Sequence, residues 1–305
     1  MIEVGVTYKL INTIRQYEEL LDTKDLEERK NYFRYTMMTP FKEMWNLINV
    51  PLKAKQENGY DVLMATKMLG FADISNDKQI RQGLTGLKDH NADKIAEKTI
   101  KNCIEMVDKA GLKVNADEII FGLFVADPNK LQLQKGYTGF GGIPGFIMVN
   151  IYPNAYNKPK IPAVIAHEFH HNIRFSYFNW DHGHVSVGDY LVIEGLADSF
   201  AKELYGAEQL GPWVTSMDKD DLEYSTDVIG EALNIKGFAE VSSYMFGDEI
   251  AKQEGYQPVG LSFCAGYAVG YEVVQSFMKK NNITIYEASL LSSEEIIKGS
   301  GLFSH

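Results

Sequence analysis

The sequence is poor in cysteine and in positive charge. Its 305 residues include two cysteines, Cys103 and Cys264, which lie far apart along the chain. Neither has a second cysteine at a zinc-binding spacing, so free thiols in a reducing compartment are the simplest interpretation. The net charge is −11, with lysine and arginine scattered rather than clustered. This balance argues against nucleic acid and anionic membrane surfaces as partners.

Long hydrophobic runs are also missing. No stretch approaches the 18 or so consecutive apolar residues of a membrane-spanning helix, so no membrane insertion is expected. Residues 1–6 lack the basic start and apolar run of a signal peptide. With 45% hydrophobic and 23% charged residues, the composition is that of a globular protein large enough for two subdomains. We therefore expect a cytoplasmic protein.

Residues 167–171 carry the pattern H-E-x-x-H. On a helix, His167 and His171 are four residues apart and project from one face, and Glu168 lies beside them, where it can polarise a water. Pro162 suits the first turn of such a helix, and apolar neighbours favour its burial. The alternative is a buried helix whose histidines only form hydrogen bonds. A glutamate beside two histidines would then be costly to bury without a metal.

A second segment, residues 190–205, has helical spacing of apolar side chains and contains two carboxylates, Glu194 and Asp198, one turn apart. Glu194 is the predicted third ligand, and Asp198 is expected to accept the N–H of a ligating histidine, His167. Three protein ligands leave one tetrahedral position open, as in catalytic zinc sites. The sequence thus predicts one zinc ion per chain, held by His167, His171 and Glu194. Alternatively, one carboxylate faces solvent at a helix edge.

These two segments resemble those of the Glu-ligand zincins, the group that includes the thermolysin-like and aminopeptidase-like metalloproteases. Another zincin pattern, H-E-x-x-H-x-x-G-x-x-H, would require glycine at position 174 and histidine at position 177. The chain has Arg174 and Tyr177 there, so that pattern is excluded. More closely, roughly residues 110–285 resemble an uncharacterised bacterial family of predicted zinc-dependent proteases, a domain of unknown function. Further matches are Glu-Gly-Leu-Ala after the zinc helix, Phe-Gly-Asp at 246–248 and Gly-Tyr-x-x-Gly-Tyr at 266–271.

The resemblance implies an α+β fold. Its zincin-like core would contain a small mixed sheet, the H-E-x-x-H helix and the glutamate-bearing helix, with a mainly helical N-terminal region. The predicted domains are residues 1–108 and 109–305. Candidate helices cover residues 7–22, 24–35, 39–49, 58–70, 91–110 and 261–280, and candidate strands cover 119–125 and 146–151. The glycine-rich residues 136–145 are expected to form a mobile hairpin or loop. In zincins a strand runs along the cleft, so the substrate is expected to pair with residues 146–151.

The implied activity is zinc-dependent hydrolysis of peptide bonds in a peptide or protein substrate. Glu168 would take the proton of the attacking water and pass it to the leaving amine. The sequence after Glu194 offers no suitable histidine as oxyanion donor, so a tyrosine is expected, as in the aminopeptidase-like branch. Tyr267, at the family's Gly-Tyr position, is the predicted donor, and Tyr271, one turn later, is the reserve. Both could instead be core aromatics.

Three further histidines have open roles. His170 is rotated away from the two ligands, which favours packing or a hydrogen bond, and His182 and His184 could contact substrate or be exposed loop residues. Two other functions also stay open. One is a non-proteolytic, metal-dependent binding or regulatory protein. The other is a helical interaction protein in which the motif is incidental, which would bind no metal.

Overall fold

The computed structural model describes residues 5–56, 59–181 and 183–303. His182, residues 1–4 and residue 58, the predicted start of one helix, lie outside the described residues. The fold is α+β, as predicted, with one four-stranded mixed sheet and mostly helical structure elsewhere among the described residues. The chain divides into two compact units, Met1–Met106 with Val114–Glu168, and Val107–Lys113 with Phe169–His305.

The first unit contains the sheet. Its strands are β1 (Thr7–Leu10), β2 (Glu118–Val125), β3 (Tyr137–Ile143) and β4 (Phe146–Ile151), in the order β1-β2-β4-β3. The first three strands in this order are parallel, and β3 is antiparallel to β4. All six residues of β4 are buried. A parallel strand covered on both faces has a continuous apolar sequence rather than an alternating one, which explains why β2 and β4 were recognisable.

Among the described residues, six α-helices precede strand β2 in the chain: α1 (Thr13–Asp22), α2 (Leu26–Tyr32), α3 (Lys42–Leu47), α4 (Val62–Met68), α5 (Asp77–Asp89) and α6 (Ala92–Lys109). Aromatic contacts join them to the sheet. The Phe124 ring on β2 lies 4.7 Å from that of Phe71 and 5.8 Å from that of Phe41, measured between centroids. All three side chains are almost fully buried, so they form part of the core of this unit.

One prediction about local structure was wrong, one helix was missed, and one open alternative is now decided. Residues 7–10 form strand β1 rather than the first turns of a helix, and α1 begins at Thr13, where the Asn12 side chain accepts the Arg15 N–H. Helix α5 was not predicted. Of the two alternatives for the glycine-rich residues 136–145, the structure shows the hairpin, because Tyr137–Ile143 is a strand that pairs with β4 in antiparallel orientation.

The predicted substrate position was also wrong. Strand β4 lies between β2 and β3 and pairs with both of them, so its two edges are already hydrogen-bonded. A peptide therefore cannot add to residues 146–151. The two strands at the ends of the order are β1 and β3.

The second unit is helical. Helix α7 (Ile161–Tyr177) begins in the first unit and continues into the second. It is followed by α8 (Val187–Tyr205), α9 (Pro212–Thr215), α10 (Lys219–Gly230), α11 (Phe238–Phe246), α12 (Asp248–Glu254), α13 (Ala265–Asn281), α14 (Ile285–Ala288) and α15 (Ser293–Ser300). The compact units place β2, β3 and β4 with the N-terminal helices, and the domains 1–108 and 109–305 stay a prediction. Within the described ranges, no helix combines the length and hydropathy needed to cross a membrane.

Helices α8 and α13 touch through their backbones. A Cβ atom at Gly195 of α8 would overlap the carbonyl oxygen of Gly270, and one at Gly270 of α13 would overlap the carbonyl oxygen of Leu191. Only glycine permits this approach, since every other residue carries a Cβ. The predicted helix at residues 261–280 is confirmed as α13, and it packs against α8, the helix that carries Glu194.

We expect Gly270→Ala to destabilise the protein. The added methyl must push α13 away from α8, and such overpacking costs about 1–3 kcal/mol of unfolding free energy. Urea denaturation followed by circular dichroism measures the loss. The matched control is Gly230→Ala on α10, where the new Cβ would lie 3.0 Å from the Phe303 ring, a side chain that can shift. Equal midpoints for Gly270→Ala and the wild type would contradict the close approach.

Candidate metal centre

The H-E-x-x-H motif lies on helix α7, as predicted. The helix begins at Ile161, and its apolar side chains, including Val164, Phe169 and Ile173, are buried. His167, Glu168 and His171 are buried as well. Polar side chains in such surroundings need a compensating partner, because their transfer from water is costly.

The three predicted ligands come together. His167, His171 and Glu194 each offer one donor atom, and these atoms lie within 4.8 Å of one another. The distance between His171 Nε2 and Glu194 Oε2 is 3.6 Å. This exceeds a normal N–H···O hydrogen bond of about 2.9 Å. It is close to the spacing of about 3.4 Å between two donors that each lie about 2.1 Å from a tetrahedral zinc ion.

The chemistry of the donor set fits the same ion. Two imidazoles and one carboxylate are the ligands of several catalytic zinc sites, and they leave a fourth position open. The Glu194 side chain is 7% exposed, so its charge is largely removed from water. A divalent cation is the group that balances the charge of a buried carboxylate beside two imidazole ligands.

Strand β3 passes directly beside Glu168. A Cβ at Gly139 would overlap the Glu168 side chain at Cγ and Oε1, and one at Gly141 would overlap the Glu168 carbonyl oxygen. The two glycines therefore serve a close approach between the strand and the helix. The sequence suggested mobility for this segment, because a glycine needed for packing and a glycine needed for a loop look alike in one sequence.

Asp198 lies one turn after Glu194 on α8 and is 1% exposed. The alternative of a solvent-facing carboxylate is thus excluded for both residues. Asp198 Oδ1 accepts a hydrogen bond of 3.1 Å from Trp213 Nε1, a partner that the sequence analysis missed. Trp213 follows Pro212 at the start of α9, and nothing in its local sequence marks it. The predicted bond from His167 to Asp198 stays a prediction.

His170 is fully buried and is not a member of the three-residue donor group. Its Nε2 lies 2.8 Å from Ser289 Oγ, and its ring lies 5.4 Å from that of Phe200. Because the Ser289 hydroxyl donates to the Ile285 carbonyl, it accepts from His170, which assigns the proton to Nε2. The expectation of packing and a hydrogen bond is confirmed.

His184 is exposed in the segment between α7 and α8. Its Nδ1 lies 2.7 Å from Asp181 Oδ2, and both side chains are mostly in water. This geometry favours the exposed-loop alternative, since such surface pairs contribute little to stability.

The two candidate tyrosines lie on α13, and both are partly buried. The Tyr267 ring is 5.9 Å from that of Phe246. Burial raises the pKa of Tyr271 to about 12, with further contributions from Glu272 and Asp198. The Tyr271 hydroxyl is therefore protonated at neutral pH and can donate a hydrogen bond.

The start of α13 is held in place by the Phe-Gly-Asp motif. Asp248 Oδ1 accepts backbone N–H groups from Val259, Gly260 and Leu261, at 2.8, 2.9 and 3.2 Å. Cys264 then precedes the helix in a left-handed conformation, with φ of 55°. Burial raises the pKa of the Cys264 thiol, and the negative charges of Glu194 and Asp198 raise it further. This end of α13 is thus near both carboxylates.

Comparison with known proteins agrees with this geometry. Residues 92–298 match the model of a family described as predicted Zn-dependent protease (DUF2268). The uncharacterized protein YjfC of Bacillus subtilis (strain 168) is 59% identical over 292 residues, which cover 96% of this chain and 97% of the relative. The uncharacterized protein YjaZ of the same organism is 25% identical over 142 residues, which cover 45% of this chain and 50% of the relative. No solved structure matches the chain.

We expect the purified protein to bind one zinc ion per chain. His167→Ala and His171→Ala should lose it, because two remaining ligands hold zinc weakly. Metal content after dialysis, measured by mass spectrometry, gives the occupancy. His184→Ala, an exposed histidine, is the matched control and should retain the metal. Full occupancy in both ligand variants, or a native protein that takes up no zinc, would overturn the ligand assignment.

Proposed function

The chain belongs to the family of predicted Zn-dependent proteases, and from that premise we propose that it is a zinc-dependent peptidase with a zincin-like core. One observation carries the proposal. The donor atoms of His167, His171 and Glu194 lie within 4.8 Å of one another. Glu168 is adjacent to His167 in the same helix. A carboxylate at this position has a role as a general base in a catalytic site but none in a purely structural metal site.

When bound, zinc supplies a Lewis acid that lowers the pKa of a water toward neutrality and polarises a carbonyl group. Glu168 takes the proton of the attacking water and delivers it to the leaving amine. Gly139 leaves the space that the Glu168 side chain occupies. The burial of Glu168 strengthens its interaction with a nearby charge, because few water molecules screen it.

Asp198 and Trp213 orient the ligands. Asp198 accepts the N–H of His167 in our proposal, which fixes the imidazole with its other nitrogen toward the metal. The hydrogen bond from Trp213 holds the carboxylate in one rotamer. Asp198 thus acts through a ligand rather than on the substrate.

Tyr267 is the proposed donor to the tetrahedral oxyanion, with Tyr271 as the reserve. Support comes from α13, which packs against α8 at Gly195, the residue after Glu194. Tyr267 precedes Gly270 by one turn in that same helix. A donor held by a rigid helix stabilises the developing charge without reorganising during the reaction.

The decisive test is Glu168→Gln. The amide cannot accept the water's proton, so hydrolysis of a protein substrate such as casein should fall by about 10²–10⁴-fold. Zinc content should stay at one ion per chain, which separates loss of the base from loss of the metal. Glu203→Gln, an exposed glutamate on α8, is the control and should keep wild-type rates. Zinc-loaded wild type that cleaves no peptide would favour the non-proteolytic, metal-dependent alternative.

A second test replaces the two tyrosines separately. Tyr267→Phe removes only the hydroxyl, so zinc binding and folding should survive while kcat falls by about 10²–10³-fold, the usual loss for one oxyanion donor. Tyr271→Phe identifies the reserve if Tyr267→Phe has no effect. Tyr224→Phe, on an exposed position of α10, controls for the substitution itself. Near-normal kcat in both α13 variants would place the donor elsewhere.

A further inference from the structure

A continuous row of aromatic rings runs from His171 to Tyr267 within the second unit. Four side chains lie between these two ends, and we call them the aromatic row: Phe175, Trp180, Tyr190 and Phe246. The successive centroid distances, from His171 to Tyr267, are 5.8, 5.3, 5.4, 6.2 and 5.9 Å. The first contact is a near-parallel stack, with an angle of 10° between the His171 and Phe175 rings. All the distances lie within the usual range for aromatic pairs.

The aromatic row is assembled from distant parts of the sequence. Phe175 belongs to α7, Tyr190 to α8 and Phe246 to α11, while Trp180 comes from the segment between the first two helices. Each element contributes one ring. Tertiary packing has therefore brought the rings together, since residues this far apart are not neighbours on any one helix.

The burial of these rings differs from that of core aromatics. Phe169 and Phe200, on the same helices α7 and α8, are 0% and 1% exposed. All four members of the aromatic row are instead partly exposed. Rings needed only for packing gain most when they are fully removed from water. A contiguous group of half-covered rings is typical of a surface that a ligand completes.

The two ends of the aromatic row contact residues of the proposed active site. One end stacks on a metal ligand, His171, and the other contacts Tyr267, the proposed oxyanion donor. We infer that the aromatic row binds an aromatic or bulky apolar side chain of the peptide, next to the bond that is cleaved. This inference rests on the proposed function, because it requires a peptide at the metal centre.

An uncharged side chain suits this surface better than a cationic one. Lysine or arginine also binds to aromatic faces, but burying its charge requires a carboxylate nearby. The two acidic residues that flank Trp180 and Tyr190 in sequence are already engaged. Asp181 pairs with His184 and accepts the Gly183 N–H, and Asp189 completes the capping box with Ser186. An aromatic side chain needs no counter-ion.

The test uses zinc-loaded protein and three N-acetylated amino-acid hydroxamates, of phenylalanine, alanine and lysine, which bind metal without being hydrolysed. Isothermal titration calorimetry gives their dissociation constants. We expect the phenylalanine probe to bind at least about tenfold more tightly than the alanine probe. The reason is that its phenyl ring can contact the aromatic row, whereas the methyl group of alanine is too short. Trp180→Ala and Phe246→Ala should reduce this ratio to below about threefold while leaving zinc content and alanine-probe affinity unchanged.

Tyr224→Ala, an exposed aromatic on α10, is the matched control and should keep the full preference. Trp180 lies between helices, so its variant tests the inference even if Phe246→Ala fails to fold. Equal or absent binding of the phenylalanine and alanine probes overturns the inference. So does a lysine probe that binds as tightly as the phenylalanine probe, or a preference that survives in Trp180→Ala.

The outcomes also separate this inference from the proposed function. Preference for the phenylalanine probe in a protein that cleaves no peptide supports the aromatic row and overturns the peptidase. Cleavage of casein without any preference among the probes supports the peptidase and overturns the aromatic row.

Discussion

Direct contact between backbones fixes the surroundings of the two functional glutamates. Gly139 and Gly141 bring β3 against α7 at Glu168, and Gly195 with Gly270 brings α13 against α8 one residue after Glu194. A helical glycine lowers helix stability by about 1 kcal/mol relative to alanine. Tight van der Waals packing offsets this cost. Contacts made by the main chain cannot be relieved by a change of side-chain rotamer. The helices and the strand that position the two glutamates therefore have few alternative arrangements.

The metal ligands were predictable because their chemistry constrains their spacing. Two histidines must share a helix face, and the base must be adjacent, so a five-residue pattern with three specified residues determines most of the geometry. Glu194 was recognisable because a carboxylate in an apolar helix is costly to bury unless a cation or a hydrogen-bond partner compensates its charge. Trp213 was not, since its bond to Asp198 depends on how the chain turns after α8. Such a contact leaves no periodic signal.

The fold was less predictable than the site. Strand β1 has only four residues and pairs with β2 far along the chain, so local periodicity could not separate it from a helix. Helix α5 contains Gly83 and Gly86, which lower its helix propensity. A Cβ at Gly83 would overlap the Val125 side chain on β2, so the close packing of α5 on the sheet requires glycine at this position. In each case a long-range contact overrode the local preference.

His170 and His171 show how a protein separates two chemically identical side chains. They are adjacent in sequence, but the helix turns about 100° between them. Ser289 and Phe200 contact the imidazole of His170, whereas Nε2 of His171 lies 3.6 Å from Glu194 Oε2. Since Nε2 of His170 carries the proton, that nitrogen has no lone pair to offer a metal ion. The packing of one helix thus gives two adjacent imidazoles different partners, and among the described residues His171, not His170, belongs to the donor group that could hold a metal ion.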